Sequence, residues 1–243
     1  MFAIANNYYS ALTQLGEDEL VVVEVGTERR KYHIHKTLLE YHSGYFRGAL
    51  HWPYEGSVRF PIPVTDAEPG IFKIFVEWLY SGRLPEVDNW PDVTRIGPGG
   101  TEDMILLQLA KACVLGDSIL TSSFRMAVNN LAVDYVVEDP CGPWYVTVTY
   151  AFQNLPEKSP FLRFLLDLHC RSGRSRDDNN EAKRAKEELP LEFFIRVMDR
   201  YGEKTCEVYD GAGSIDWWWH LTPRPCRYHE HNSTEERKEC RKK

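Results

Sequence analysis

Residues 32–50 read YHIHKTLLEYHSGYFRGAL. The stretch changes period partway along. Tyr32 and Ile34 alternate with His33 and His35, which is the two-residue repeat of a strand. From Lys36 onward Leu38, Leu39, His42, Tyr45 and Phe46 recur at helical intervals. The pattern therefore predicts a strand that runs straight into a helix, with a second short helix over Phe46–Leu50.

Working outward from this switch, Leu20–Val25 is rich in valine. Val21, Val23 and Val25 should face one way and Leu20, Val22 and Glu24 the other. The charged residues 27–31 then close a hairpin. Downstream, residues 58–62 read as a third strand, with Pro61 and Pro63 restricting its ladder. Asp66 is placed to cap the next helix, with Pro69 in its first turn. Ile71, Phe72, Phe75, Trp78 and Leu79 form an amphipathic stripe that Gly82 stops. Residues 84–100 are rich in proline and glycine and read as a loop. Thr101 is a candidate N-cap for a helix that buries Leu106, Leu109, Ala110, Cys113 and Val114 and ends at Gly116. Ser118 would cap a further helix with Leu120, Phe124, Val128, Leu131 and Tyr135 inward.

Three segments of this series resemble the BTB/POZ domain. Its hallmark is a strand ending in His-Lys, a Leu-Leu helix and then Ser-x-Tyr-Phe, matched by His35, Lys36, Leu38, Leu39, Ser43, Tyr45 and Phe46. The helix end FVEWLYSG (75–82) is similar to the family's Tyr-(Ser/Thr)-Gly ending, and LLQLAKACVLGD (106–117) resembles its fourth helix. The acidic residues 17–19 stand where the family has a Ser-Asp context. The resemblance covers roughly Glu19–Val137 and implies an α+β fold, a small β-sheet flanked by a helical cluster. It places the domain at residues 17–138 and leaves 139–243 as a mainly helical C-terminal extension, like that behind the BTB domain of many small fungal proteins.

The totals agree with such a protein. The chain has 243 residues with 43% hydrophobic content, enough for a sizeable core. A net charge of −7 argues against nucleic-acid binding, because phosphate neutralisation needs a basic surface. No apolar run spans a bilayer and no secretory signal opens the chain, so a cytoplasmic or nuclear location without membrane partners is expected. Six cysteines in this length do not make a disulfide framework.

In the second half, Trp144–Phe152 alternates like a strand, but the lack of a partner favours a helix. Pro160–Cys170 is helical, with Phe161, Phe164, Leu165 and Leu168 on one face. Residues 172–188 mix both charge signs and read as a solvated linker or exposed helical turn rather than a binding patch. Leu191, Phe194, Ile195, Val197 and Met198 predict a last amphipathic helix ending near Gly202. Trp217, Trp218 and Trp219 are consecutive, and packing of two of them competes with an exposed platform.

The tail carries Cys226-Arg-Tyr-His229-Glu-His231 with Cys206 upstream and Cys240 downstream. Cys226, His229, His231 and Cys240 make a structural zinc site or an unligated tail, since two imidazoles and two thiolates suit tetrahedral zinc but the spacing is not that of a standard finger. No other cofactor is expected. For catalysis there is little. His35 reads as orienting the following helix, Ser43 has neither a third group nor an oxyanion-hole motif, and no phosphate-binding glycine loop or dinucleotide fingerprint is present. The chain is expected not to be an enzyme.

The resemblance implies protein partners. It implies a protein–protein interaction module that forms homo- or hetero-oligomers as an adaptor or regulator, with residues 6–15 available as an exchanged helix in a homodimer. The alternative is a substrate adaptor on the cullin scaffold of a ubiquitin ligase. Members of that kind carry a hydrophobic residue, any residue and then Glu between the second helix and third strand. Trp52, Tyr54 and Glu55 occupy that region here, with Pro53 where a bulky apolar residue is expected.

Overall fold

In the computed structural model of the chain, residues 19–51, 61–94, 102–138, 145–172, 180–209 and 225–242 are described. Strand β1 (Leu20–Val25) pairs antiparallel with β2 (Arg30–His35), placing Val21 opposite Ile34 and Val23 opposite Tyr32. Val21, Val23, Val25 and Ile34 are fully buried, so the alternation in sequence matches the two faces of the sheet. The strand-to-helix switch is abrupt. β2 ends at His35 and helix α1 (Lys36–His42) begins at the next residue.

Ser43 separates α1 from α2 (Gly44–Leu50) and caps the second helix, its Oγ accepting the Phe46 N–H at 3.1 Å. The same hydroxyl donates to the Ile119 carbonyl at 2.6 Å. Buried and bonded on both sides, Ser43 is a structural fastener. Tyr45 ties α2 to the sheet by donating to the Pro63 carbonyl at 2.8 Å.

The third strand, β3, is Ile62–Val64, later than the 58–62 expected; residues 52–60 lie outside the described residues. It runs parallel to β1, and the sheet order is β2-β1-β3. Pro63 is tolerated because β3 is an edge strand, where a missing N–H costs no ladder bond on the outer side.

Helix α3 (Pro69–Ser81) buries Ile71, Phe72, Ile74, Phe75, Trp78 and Leu79. Its N-cap is Glu68, which makes no side-chain cap; Asp66 instead accepts from the Thr65 hydroxyl at 3.2 Å. Pro69 at the first position needs no N–H partner, so the helix starts without the capping carboxylate. Gly82 ends it in the left-handed conformation at φ 69°. The expected loop over 84–100 contains order. A 3₁₀ turn (Val87–Asn89) leads into α4 (Trp90–Thr94), and Trp90 is fully buried with its indole N–H on the Pro85 carbonyl at 3.2 Å. One large ring bonded to its own loop supplies the anchor that proline and glycine content conceals.

Helix α5 (Glu102–Ser118) passes Gly116 and continues to Ser118. Gly116 is required for close approach and does not terminate the helix: a Cβ there would meet Arg125 Cβ at 2.9 Å and Arg125 backbone atoms at 3.0 Å. Ser118 is therefore the end of α5, donating to the Leu115 carbonyl at 2.9 Å, and not the cap of the next helix. Helix α6 spans Ser122–Glu138. Leu120, expected inward, is 64% exposed and adopts φ 53° in the turn between the two helices.

The chain divides into two compact units, Met1–Pro98 with Leu115–Arg125, and Gly99–Val114 with Met126–Lys243; α5 and α6 contribute residues to both. In the first unit the core is an aromatic chain. Phe72 meets Tyr32 and Phe75, with centroids 5.0 and 5.5 Å apart, and Phe124 meets Phe75 and Trp78, each at 5.3 Å. Edge-on and tilted rings at these distances add to the area they bury.

In the second unit, the ambiguous segment near Trp144 is a helix, α7 (Tyr145–Asn154), and α8 (Pro160–Ser172) buries Phe161, Phe164, Leu165 and Leu168 as its pattern predicts. Helix α9 (Asn180–Glu187) lies within the charged stretch. Helix α10 (Leu191–Tyr209) passes Gly202, where it was expected to stop. Its buried anchor is Phe193, fully covered and 5.3 Å from Phe152 and 4.9 Å from His169, ring centre to ring centre. The expected inward face is turned out: Leu191, Phe194, Ile195 and Met198 are exposed, with Leu191 at 74% and Met198 at 73%. A 3₁₀ turn (Pro225–Arg227) and α11 (Thr234–Cys240) complete the described tail.

Candidate metal centre and interaction residues

The tail brings three of the four candidate ligands, Cys226, His231 and Cys240, to one place, with His229 against Cys240. Cys226 is the middle residue of the 3₁₀ turn, and the chain then reverses through residues 228–233 into α11. Ser233 caps α11 by accepting the Glu236 N–H at 3.1 Å, while Glu236 reaches back to accept the Asn232 N–H at 2.9 Å. This reciprocal arrangement is close to a capping box and fixes where α11 starts. Cys240, in the last turn of α11, is thereby carried back toward Cys226.

The ligand atoms of Cys226, His231 and Cys240 lie within 4.8 Å of one another. Cys226 Sγ is 3.5 Å from His231 Nε2, and His229 Nδ1 is 3.2 Å from Cys240 Sγ. The two rings are 6.2 Å apart between centroids and nearly perpendicular. Burial holds the His231 pKa below its usual value, with Glu236 pulling the other way, which favours the neutral ring. The side chain of Cys206 lies outside the described residues.

Helix α6 grips the backbone between these residues. Asn129 donates to the Tyr228 carbonyl at 2.9 Å. Asn130 bonds Glu230 twice, donating to its carbonyl at 2.9 Å and accepting its N–H at 2.8 Å. One turn on, Asp134 Oδ1 is 3.0 Å from His229 Nε2. The separation is that of an ion pair; the ring N–H is not aligned along it closely enough for a hydrogen bond, so Nε2 has no hydrogen-bond partner. Tyr228 fills the space beneath, its ring 5.3 Å from Phe164 and its hydroxyl donating to Asp167 at 2.8 Å. Asp167 also holds Arg200 through both carboxylate oxygens, at 2.5 and 3.1 Å. Nearby Cys170 is pushed up to about 12 by burial and by Asp167, against the pull of Arg200, so it is an inert thiol.

The sequence points to Cys226, His229, His231 and Cys240 as candidates and does not point to Asn129, Asn130, Asp134 or Asp167. These residues are about a hundred positions away for the asparagines and 61 for Asp167, and nothing in an isolated polar helical residue announces a distant backbone partner.

His35 is placed by the fold. Its Nδ1 is 2.7 Å from the Tyr80 hydroxyl, and its N–H donates to the same oxygen at 3.2 Å. Trp52, Tyr54 and Glu55, the expected cullin-facing residues, lie outside the described residues, as do residues 6–15, Thr101 and Trp217–Trp219. On α10, Leu191, Phe194, Ile195, Met198 and Tyr201 form an exposed apolar stripe at helical spacing, the kind of surface that marks contact sites in general. Among the described residues no helix is long and apolar enough to cross a membrane.

Comparison with curated proteins and with solved structures finds no match for the chain. Comparison with protein families finds one: residues 14–97 match the family model "BTB/POZ domain". The matched span holds the β2-β1-β3 sheet, the strand-to-helix switch and the Tyr80-Ser81-Gly82 helix end. The chain thus carries a BTB/POZ domain, a protein–protein interaction module built on a small three-stranded sheet with flanking helices, followed by a mostly helical region.

Proposed function

We propose that the chain is a non-catalytic adaptor or regulator that works by BTB-mediated homo- or hetero-oligomerisation. The observation that carries this reading is the BTB/POZ match over residues 14–97 on a sheet and helix order that fits it. The residues with catalytic potential in that span are used up by structure. Ser43 is buried with its hydroxyl bonded to Ile119 and Phe46, and His35 is held by Tyr80. We take residues 17–138 as the interaction domain and 139–243 as a helical extension of the small fungal kind. The free thiols of Cys170 and Cys226 suit a reducing compartment, cytoplasm or nucleus.

Size-exclusion chromatography with light scattering on the full chain tests the oligomer directly. A dimer or larger species at micromolar concentration is expected, and a strict monomer, in the absence of a captured BTB partner, sinks the reading. Co-purification with a cullin scaffold, lost in Glu55→Ala, would replace it with the ubiquitin-ligase adaptor.

A further inference from the structure

We propose that Cys226, His229, His231 and Cys240 bind a single Zn²⁺, with Asp134 as a positioning residue for His229, and that this ion fastens residues 225–242 onto helix α6.

The distances are compatible with a tetrahedral metal site. Tetrahedral zinc with sulfur at about 2.3 Å and nitrogen at about 2.05 Å has sulfur–nitrogen edges of about 3.6 Å. The two Cys–His pairs stand at 3.5 and 3.2 Å. Three ligand atoms already share one small volume, and His229 joins through its contact with Cys240. The nitrogens used differ: His231 presents Nε2 and His229 presents Nδ1. That choice leaves His229 Nε2 3.0 Å from Asp134 Oδ1, where a small turn of the ring on binding the ion would align its N–H with the carboxylate, as in the outer shell of metal-bound histidines. Asp134 belongs to a different element from the ligands, so its placement is independent support.

A second argument comes from what else holds the tail. Residues 232–239 are exposed, and the buried anchors are Cys226 and Tyr228. Thiol hydrogen bonds are weak. So little apolar burial does not stably order a short segment, and small units of this size depend on staples. The grip of Asn129 and Asn130 on Tyr228 and Glu230 sets the backbone between the ligands before the ion arrives. With four protein ligands the coordination shell is closed, which makes the role structural. Binding converts both thiols to thiolates and releases two protons to solvent, with no change of oxidation state.

The experiment uses the full chain purified without chelator. Elemental analysis should give one zinc per chain, and cobalt exchanged into the site should show thiolate-to-metal charge transfer with tetrahedral ligand-field bands. Removing the metal should speed amide hydrogen exchange in residues 225–242 and leave residues 20–94 unchanged. Asp134→Asn, a change at a side chain 58% exposed, should keep one zinc per chain and weaken its retention against a chelator by about 10–100-fold. Metal-free protein that also takes up no cobalt overturns the site. So does a Cys226–Cys240 disulfide found by mass spectrometry in protein prepared with its thiols protected from air. Unchanged zinc retention in Asp134→Asn overturns the positioning role alone.

Discussion

The Tyr80 hydroxyl accepts the backbone N–H of His35 at 3.2 Å and lies 2.7 Å from His35 Nδ1. One oxygen thus closes the last residue of β2 onto the last turn of α3. The backbone N–H at the strand-to-helix switch has no helical acceptor of its own, as at any helix start, and Tyr80 supplies it. A hydroxyl can accept the backbone N–H and still pair with Nδ1, so one oxygen serves both groups.

Tyr80→Phe removes this oxygen without changing the ring. The expected loss is about 1–3 kcal/mol, because a part-buried donor and an imidazole nitrogen are left without a partner. Urea unfolding followed by tryptophan fluorescence measures it. A change within error would mean that water replaces the hydroxyl at no cost.

Two glycines should respond in opposite directions. Gly116→Ala forces a Cβ within 2.9 Å of Arg125 Cβ and 3.0 Å of its backbone, which cannot yield as a flexible side-chain end does. A loss of about 1–3 kcal/mol is expected from overpacking. Gly202→Ala meets nothing within 4 Å inside helix α10, and should gain about 0.5–1 kcal/mol from helix propensity. Equal signs in denaturation experiments would contradict the packing described for one of them.

The face of α10 can be read by a similar pair. Phe193→Ala should cost about 3–5 kcal/mol, since the ring is fully buried against Phe152 and His169. Leu191→Ser with Met198→Ser should stay within about 0.5 kcal/mol of the parent, because both side chains are largely in water. Circular dichroism melts separate the two cases, and a strong destabilisation by the serine pair would show that the helix is rotated.

Asp167 is the hub of the second unit's polar network, and its loss weakens two partners. Asp167→Ala leaves the Tyr228 hydroxyl without its acceptor and the Arg200 guanidinium with Glu203, at 3.0 Å, in place of the two-oxygen grip of Asp167, with an expected cost of about 1.5–3 kcal/mol. Tyr228→Phe should cost only about 1 kcal/mol. The double variant should fall short of the sum, because both changes remove the same hydrogen bond. Strict additivity in the cycle would dissolve the network into independent contacts.

Acid should weaken the fold before carboxylates titrate. Burial lowers the His42 pKa from 6.5 to about 4, and burial with the nearby Lys186 charge lowers that of His169. Between these folded values and 6.5 the unfolded chain takes up protons that the folded chain refuses, so stability rises with pH. The contribution is complete above pH 6.5 and is lost as pH falls toward 4. Melting temperatures measured from pH 7.5 to 5 should decline, and His42→Gln should flatten part of the slope. An identical slope in the variant would remove His42 from the account.

Local periodicity determined much of this protein. The valine alternation of β1, the change of period at Lys36, the stripe of α3 with its glycine stop, and the pattern of α8 are each short-range consequences of which side chains must leave water. The closeness of Cys226, His231 and Cys240 was also legible, because thiols and imidazoles cluster rarely enough in sequence to stand out. Where a glycine is used was not legible. Gly116 and Gly202 look alike in the chain, yet one sits against Arg125 and the other against solvent. Nor was the rotation of α10 legible, since Phe193 and Phe194 are neighbours of equal hydrophobicity and only the position of Phe152 and His169 chooses between them. Trp90 within a proline-rich loop, Asn130 on Glu230 and Asp134 beside His229 are likewise tertiary facts. Each is a contact between residues far apart along the chain, and a hydrogen bond or a packed ring at that range leaves no periodic trace in either partner.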